Sequence, residues 1–89
     1  MATLVILFDS YYGIESYEGK QALSQFRNSA GVKGLKAYRA VDSKPVYTVE
    51  VEVEDDKLED LKKRIQSTVS GYSGYVSDFS MKVMKEIAV

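Results

Sequence analysis

Three carboxylates recur at every second position in Tyr47-Thr48-Val49-Glu50-Val51-Glu52-Val53-Glu54. On one face of a strand, Glu50, Glu52 and Glu54 could gather a cation or supply a general base. Neighbouring carboxylates along one strand diverge, however, and hard cations need ligands that converge, so no metal site is expected. Alternation with valine is also what any half-buried strand shows, and the first reading of these residues is an ordinary polar sheet face. A second group is aromatic and acidic. Asp9, Tyr11 and Tyr12 fall where a first strand runs toward a first helix, a place where packed elements leave gaps, and Tyr17 follows nearby. With Tyr38 and Glu50 from the two strands of the central hairpin, these residues form the candidate ligand-binding set: Asp9, Tyr11, Tyr12, Tyr17, Tyr38 and Glu50. The chain has seven tyrosines in 89 residues, and tyrosine joins an apolar face to a polar tip. That chemistry suits subunit interfaces and core edges even better than ligands. Tyr72 and Tyr75, close to Gly71 and Gly74, read as loop anchors. The glycine pair makes no phosphate loop, because a strand follows it where a helix would be needed.

Composition excludes much. There is no cysteine and no histidine, which removes disulfides, thiolate nucleophiles, the commonest general base and the commonest zinc ligand. No catalytic residue is assigned, and no cofactor is expected. Twelve basic residues against thirteen acidic ones give a net charge of −1, without the broad positive field that nucleic-acid or anionic-membrane binding relies on. Neither partner is expected. The apolar run Thr3 to Phe8 has no basic residues before it and is too short for a signal peptide core or a membrane span, so a soluble, cytoplasmic protein is expected. At 89 residues and 45% hydrophobic, the chain reads as one domain, 1–89, near the lower size limit for an adequate core, and a second copy would help it.

The elements that must position these side chains alternate in type. Thr3-Leu4-Val5-Ile6-Leu7-Phe8 is apolar on both faces, as a strand covered on both sides would be. The spacing predicts a helix over about 16–28, with Ala22, Leu23, Phe26 and Ala30 on one stripe, Gly19 weakening its first turn and Gly31 stopping it. A strand over about 33–41 and the loop Asp42-Ser43-Lys44-Pro45 lead into the acidic strand. A second helix starts at Asp55 or Asp56, with Asp56 and Glu59 at capping-box spacing. It carries Leu58, Leu61, Ile65 and Val69 on one stripe, supported by Glu59 with Lys63 and Asp60 with Arg64 at i,i+4, and ends at Gly71. The last strand runs over about 76–85.

The order is βαββαβ. Two right-handed split βαβ units give an α+β, ferredoxin-like fold: a four-stranded antiparallel sheet of order 4-1-3-2 with both helices on one face. The valines of the acidic strand then meet the helices, and Thr48, Glu50 and Glu52 lie on the open face. A solvated open face would leave half of the first strand wet, so that face is expected to be covered by a second sheet. If Leu35, Ala37 and Val41 join the valines on the helix side, Lys36 and Tyr38 lie on the open face and Lys36 is close to Glu50. That register needs an odd loop or a bulge. Arg39 then falls on the helix side and must snorkel out or meet a carboxylate.

The stretch Gly31-Val32-Lys33-Gly34-Leu35-Lys36-Ala37-Tyr38-Arg39-Ala40-Val41-Asp42, followed after a proline by Tyr47 to Asp55, resembles the central hairpin of EthD-like proteins in the dimeric α+β barrel superfamily. The resemblance implies a homodimer of two sheets packed open face to open face, with a small pocket between sheet and helices in each subunit. The superfamily includes cofactor-independent monooxygenases, muconolactone-isomerase-like enzymes and ligand-binding regulatory domains. The chain departs from the EthD pattern in having no histidine in or after the first helix, so no catalytic residue carries over.

Three functions follow. One is a homodimer that binds a small, partly apolar molecule. Another is a cofactor-independent monooxygenase-like or isomerase-like enzyme, using a tyrosine or a carboxylate such as Asp9 or Glu50 for proton transfer on an aromatic or polyketide-like substrate. The last is an amino-acid-sensing module resembling the ACT domain, of which Asp9 followed by Gly13 is a loose echo. RNA recognition is disfavoured, because the central strands carry glutamates where paired aromatics would be needed.

Overall fold

Alternation in the acidic strand resolves as the pattern demands. The computed structural model describes residues 1–10, 14–42, 46–72 and 74–89. In β3 (Val46–Val53), Tyr47, Val49, Val51 and Val53 are buried against two helices, while Glu50 and Glu52 are exposed. β1 (Ala2–Ser10) lies antiparallel beside it, with Leu4 opposite Val51, Ile6 opposite Val49 and Phe8 opposite Tyr47. The rings of Phe8 and Tyr47 stack with centroids 5.7 Å apart. Burying one such side chain contributes about 1.5–3 kcal/mol, so this central pair of strands anchors the core.

The remaining elements are α1 (Tyr17–Arg27), β2 (Val32–Arg39), α2 (Leu58–Gly71) and β4 (Val76–Met84). The strands are ordered β2-β3-β1-β4, every pair antiparallel, which is the expected ferredoxin-like 4-1-3-2 arrangement. Phe26 of α1 and Leu61 and Ile65 of α2 complete the core.

Local chemistry explains most boundaries. Ser16 caps α1, its Oγ accepting the Gly19 N–H at 3.2 Å. Gly19 has a second role that its low helix propensity hides: a Cβ there would lie 2.5 Å from the Ile14 carbonyl oxygen, so the incoming chain packs directly on the helix backbone. Past α1, Gly31 takes φ +81°, and its carbonyl accepts the Glu54 N–H at 2.9 Å. Ala30 lies beyond the helix and is exposed, off the expected stripe.

α2 differs from expectation at its start. A single 3₁₀ turn, Asp55–Lys57, precedes it, and no side chain caps either element, so the Asp56 and Glu59 capping box does not form. Glu59 pairs with Lys62 at 3.6 Å, and Arg64 donates to Ser29 Oγ at 3.0 Å, tying α2 to the end of α1. The apolar stripe holds: Leu61 and Ile65 are buried, with Leu58 and Val69 packed against them. β4 carries a bulge where Asp78 and Phe79 together oppose Phe8, with Asp78 at φ 52°. Aspartate tolerates that left-handed geometry better than most residues. Among the described residues no helix is long and apolar enough to cross a membrane.

The register of the central hairpin follows the sequence reading. Lys36 is opposite Glu50, Tyr38 opposite Thr48, and Leu35 and Ala37 opposite Val51 and Val49. Seven residues separate the partners Arg39 and Tyr47, and a shift between Val32 and Gly34 adds a bulge. Arg39 meets a carboxylate, its Nη1 lying 2.8 Å from Glu15 Oε2. Val41 is past the strand and almost fully exposed, so it joins neither face.

Candidate functional site

Two helices lie on one face of the sheet yet barely touch each other, and the gap they leave is a cavity of about 610 Å³. That size falls in the range of small-molecule pockets, roughly 300–1,000 Å³. The sheet supplies its floor through Ile6 and Phe8 of β1 and Val49 of β3. Gly19, Ala22, Leu23 and Phe26 of α1 form one wall, and Ile65, Thr68 and Val69 of α2 the other. Val76 and Phe79 of β4 close one side.

Depth sorts the lining by chemistry. Ile6, Phe8, Phe26, Val49 and Ile65 are buried and carry no polar side-chain atom. Polar groups gather where β1 ends and the helices begin and finish: Ser10, Ser16, Glu18, Thr68, Tyr72 and Tyr75. Glu18, Tyr72 and Tyr75 are exposed and mark the rim. Tyr72 and Tyr75 belong to the turn after α2, fixed by the Tyr75 N–H on the Tyr72 carbonyl at 2.8 Å and the Val76 N–H on the same oxygen at 3.1 Å. Ile14, on the chain entering α1, completes the mouth.

The sequence-derived residues are distributed differently. β1 places its even-numbered side chains on the helix side, so Ser10 lines the cavity while Asp9, opposite Val46, lies on the open face. Tyr38 and Glu50 are on that same open face, opposite Thr48 and Lys36. Tyr17 is 74% exposed on the outside of α1, its hydroxyl accepting from Gln21 Nε2 at 3.3 Å. Tyr11 and Tyr12 lie outside the described residues. Asp9, Tyr38 and Glu50 thus share a face, and none of them lines the cavity.

Sequence reasoning missed Tyr72, Tyr75, Glu18 and Thr68 as cavity residues. For Tyr72 and Tyr75 a signal existed: two aromatics in a turn that smaller residues could make, as at Tyr11 and Tyr12. Glu18 and Thr68 carried none, because helix positions beside a cavity look like any half-exposed position. Among the described residues no group of three or more carboxylates is placed to hold a metal ion.

The open face carries its own pattern. Across the four strands, Lys36, Glu50, Val5 and Lys82 form one row; Tyr38, Thr48, Leu7 and Ser80 form the next; Gly34, Glu52, Thr3 and Met84 form a third. Tyr38, Leu7 and Met84 are exposed apolar groups. Lys36, Glu50, Glu52 and Lys82 make no ion pair among the described residues, although Lys36 and Glu50 are direct neighbours.

No protein-family model matches this sequence, and no curated protein does. Solved structures do. A mutant form of SnoaB, a cofactor-independent oxygenase from Streptomyces nogalater, superposes with a TM-score of 0.73 at 11% identity, covering 99% of this chain and 94% of that one. PA3566 from Pseudomonas aeruginosa gives 0.69 at 18% identity, over 98% and 94%. A Deinococcus radiodurans protein provisionally assigned as an antibiotic biosynthesis monooxygenase gives 0.67 at 6% identity, over 100% and 95%. At such identities the likeness establishes the fold: from end to end, this chain has the ferredoxin-like α+β fold of those proteins.

Proposed function

We propose that the protein is a homodimer of single-domain subunits, closed through the open sheet face, in which each subunit takes a small, partly apolar molecule into the cavity between its sheet and helices. The observation that carries the ligand reading is the cavity itself, apolar in its depth and polar at its rim. A cleft of that size, open to solvent at its rim and lined by Ile6, Phe8, Phe26, Val49 and Ile65, leaves apolar surface against water if nothing apolar fills it. A bound molecule covers that surface.

The dimer reading rests on the open face. It exposes Leu7, Tyr38 and Met84 together with two lysines and two glutamates that form no ion pair among the described residues. A face with balanced, unpaired charge and an apolar component is complementary to itself under a two-fold axis. Face-to-face closure would also cover the wet half of β1. The resemblance to dimeric α+β barrels in the central hairpin points the same way.

A second reading, catalysis, is favoured by one observation: the similar structures include a cofactor-independent oxygenase and a protein assigned to antibiotic biosynthesis oxygenation. Under it, the Glu18 carboxylate at the mouth would take a proton from an activated aromatic substrate whose reacting end lies at the rim, and the phenol of Tyr72 or Tyr75 would donate a hydrogen bond to the oxygen that takes up the charge. Native mass spectrometry of the purified protein tests the whole proposal. A dimer of the 10.0 kDa chain retaining a small molecule supports it, and oxygen uptake with aromatic, polyketide-like compounds separates enzyme from binder. A monomer at micromolar concentration removes the dimer, and a protein that neither retains nor takes up any apolar molecule removes the ligand.

A further inference from the structure

Resting on that cavity reading, we infer that the ligand enters apolar end first and presents a neutral or cationic hydrogen-bond-donating head at the rim, so that anionic molecules of the same shape are rejected. Charge is the first argument. Glu18 is the one charged side chain among the described residues that line the cavity, and no lysine or arginine accompanies it. Arg39, on the helix side of β2, is held by Glu15 at 2.8 Å. An anionic head would face a carboxylate with no lining counter-charge, and beside an apolar wall that repulsion is less screened than in open water.

Hydrogen-bond capacity is the second argument. The Thr68 hydroxyl already donates to the Arg64 carbonyl at 3.0 Å, which leaves its oxygen free to accept. A carboxylate such as Glu18 accepts only. Ser16 Oγ accepts the Gly19 N–H at 3.2 Å and keeps one proton to give. Accepting groups therefore outweigh donating ones at these three positions, and a head that donates satisfies more of them than one that only accepts. The depth decides the orientation: apart from Ser10, which sits at the end of β1, the buried lining has no side-chain polar atom to meet a charged or hydrogen-bonding group, so a polar head placed among Ile6, Phe26, Val49 and Ile65 would lose its water without replacement.

Three probes of one shape and different heads test this: 2-naphthylmethylamine, 2-naphthylmethanol and 2-naphthoate, titrated at neutral pH by naphthalene fluorescence. The ammonium and the alcohol are expected to bind at least about tenfold more tightly than the carboxylate. In Glu18→Gln, the ratio of ammonium to carboxylate affinity should fall several-fold, and continued binding of the alcohol would report that the cavity survives. Equal binding of all three probes, or an unchanged ratio in Glu18→Gln, overturns the inference while leaving a ligand cavity standing. Binding by none of the three overturns both.

Discussion

The two faces of one sheet treat charge in opposite ways. Around the helix-covered side and its borders, charged groups find partners: Arg39 with Glu15 at 2.8 Å, Lys33 with Glu54 at 3.1 Å, and the terminal amine with Asp55 at 3.2 Å. On the open side, Lys36, Glu50, Glu52 and Lys82 share two rows of side chains and make no ion pair among the described residues. Apolar groups differ as well. Leu4, Ile6, Val49, Val51 and Val53 are sealed on the first face, whereas Leu7, Tyr38 and Met84 stand exposed on the second. Apart from its cavity, the first face has its charges paired and most of its apolar side chains covered within the chain, and the second has not, which is the physical content of proposing it as a surface for a second copy.

The sharpest way to break that contrast is to truncate neighbours on opposite faces of β1. Leu4 is fully buried, so Leu4→Ala should lower unfolding free energy by about 2–5 kcal/mol in urea melts. Val5, one residue on, faces Glu50 and Lys82. Val5→Ala should cost less than about 1 kcal/mol in dilute solution, where any dimer has dissociated, and more at high protein concentration. Equal losses in both variants at all concentrations would mean the open face is no interface.

Glycines give a second paired test. In an isolated helix, Gly→Ala gains up to about 1 kcal/mol. At Gly19 the new methyl would meet the Ile14 backbone at 2.5 Å, and relieving such overlap costs about 1–3 kcal/mol, so Gly19→Ala should destabilise. Gly34, on the open face, has nothing within 4 Å of a built Cβ, and Gly34→Ala should leave melting unchanged or raise it. Stabilisation by Gly19→Ala would show that the chain before α1 does not pack on that helix.

How much of this was legible in the sequence depends on where burial is one-sided. β3 advertises its faces because valine and glutamate alternate, and from it the fold, the strand order and the Lys36 to Glu50 register could be read. β1 does not, because both its faces are apolar; nothing in Leu4 to Phe8 says that Ser10 lines a cavity and Asp9 does not. Only pairing with β3 fixes that parity. The cavity was illegible for another reason. Its volume is set by how far α1 and α2 stand apart, and apolar stripes tell which side of a helix is buried without telling how closely it packs. Asp56 and Glu59 had the spacing of a capping box, yet the 3₁₀ turn at Asp55 to Lys57 shifts the helix start and leaves the pair without its geometry.

Charge reversal sharpens the comparison on the open face itself. Lys36→Glu sets a glutamate against Glu50, and like charges directly opposite are unfavourable. Dimer dissociation should rise about tenfold, roughly 1.4 kcal/mol, in sedimentation at low salt, and the double change Lys36→Glu with Glu50→Lys should recover most of it. A loss with no recovery would indicate that Lys36 meets some other group of the partner copy, and no loss at all would take Lys36 out of the interface.

The smallest effect is expected at Arg39, three residues along the same strand but on the opposite face. Its ion pair with Glu15 is short, yet the two side chains are 51% and 57% exposed, and such pairs contribute about 0–1 kcal/mol. Arg39→Gln should therefore change stability by less than about 1 kcal/mol, and less still in high salt. Its consequence should appear in ligand affinity, because Glu15 lies between Ile14 and Ser16, both of which line the cavity. Releasing Glu15 lets that segment move relative to β2, and the rim it forms loses definition. Titration of 2-naphthylmethanol into Arg39→Gln should give weaker binding than the parent protein, while Lys36→Gln, on the same strand and unpaired, should leave it unchanged. If the two variants bind the probe equally well, the ion pair has no part in shaping the cavity, and the difference between the faces is confined to assembly.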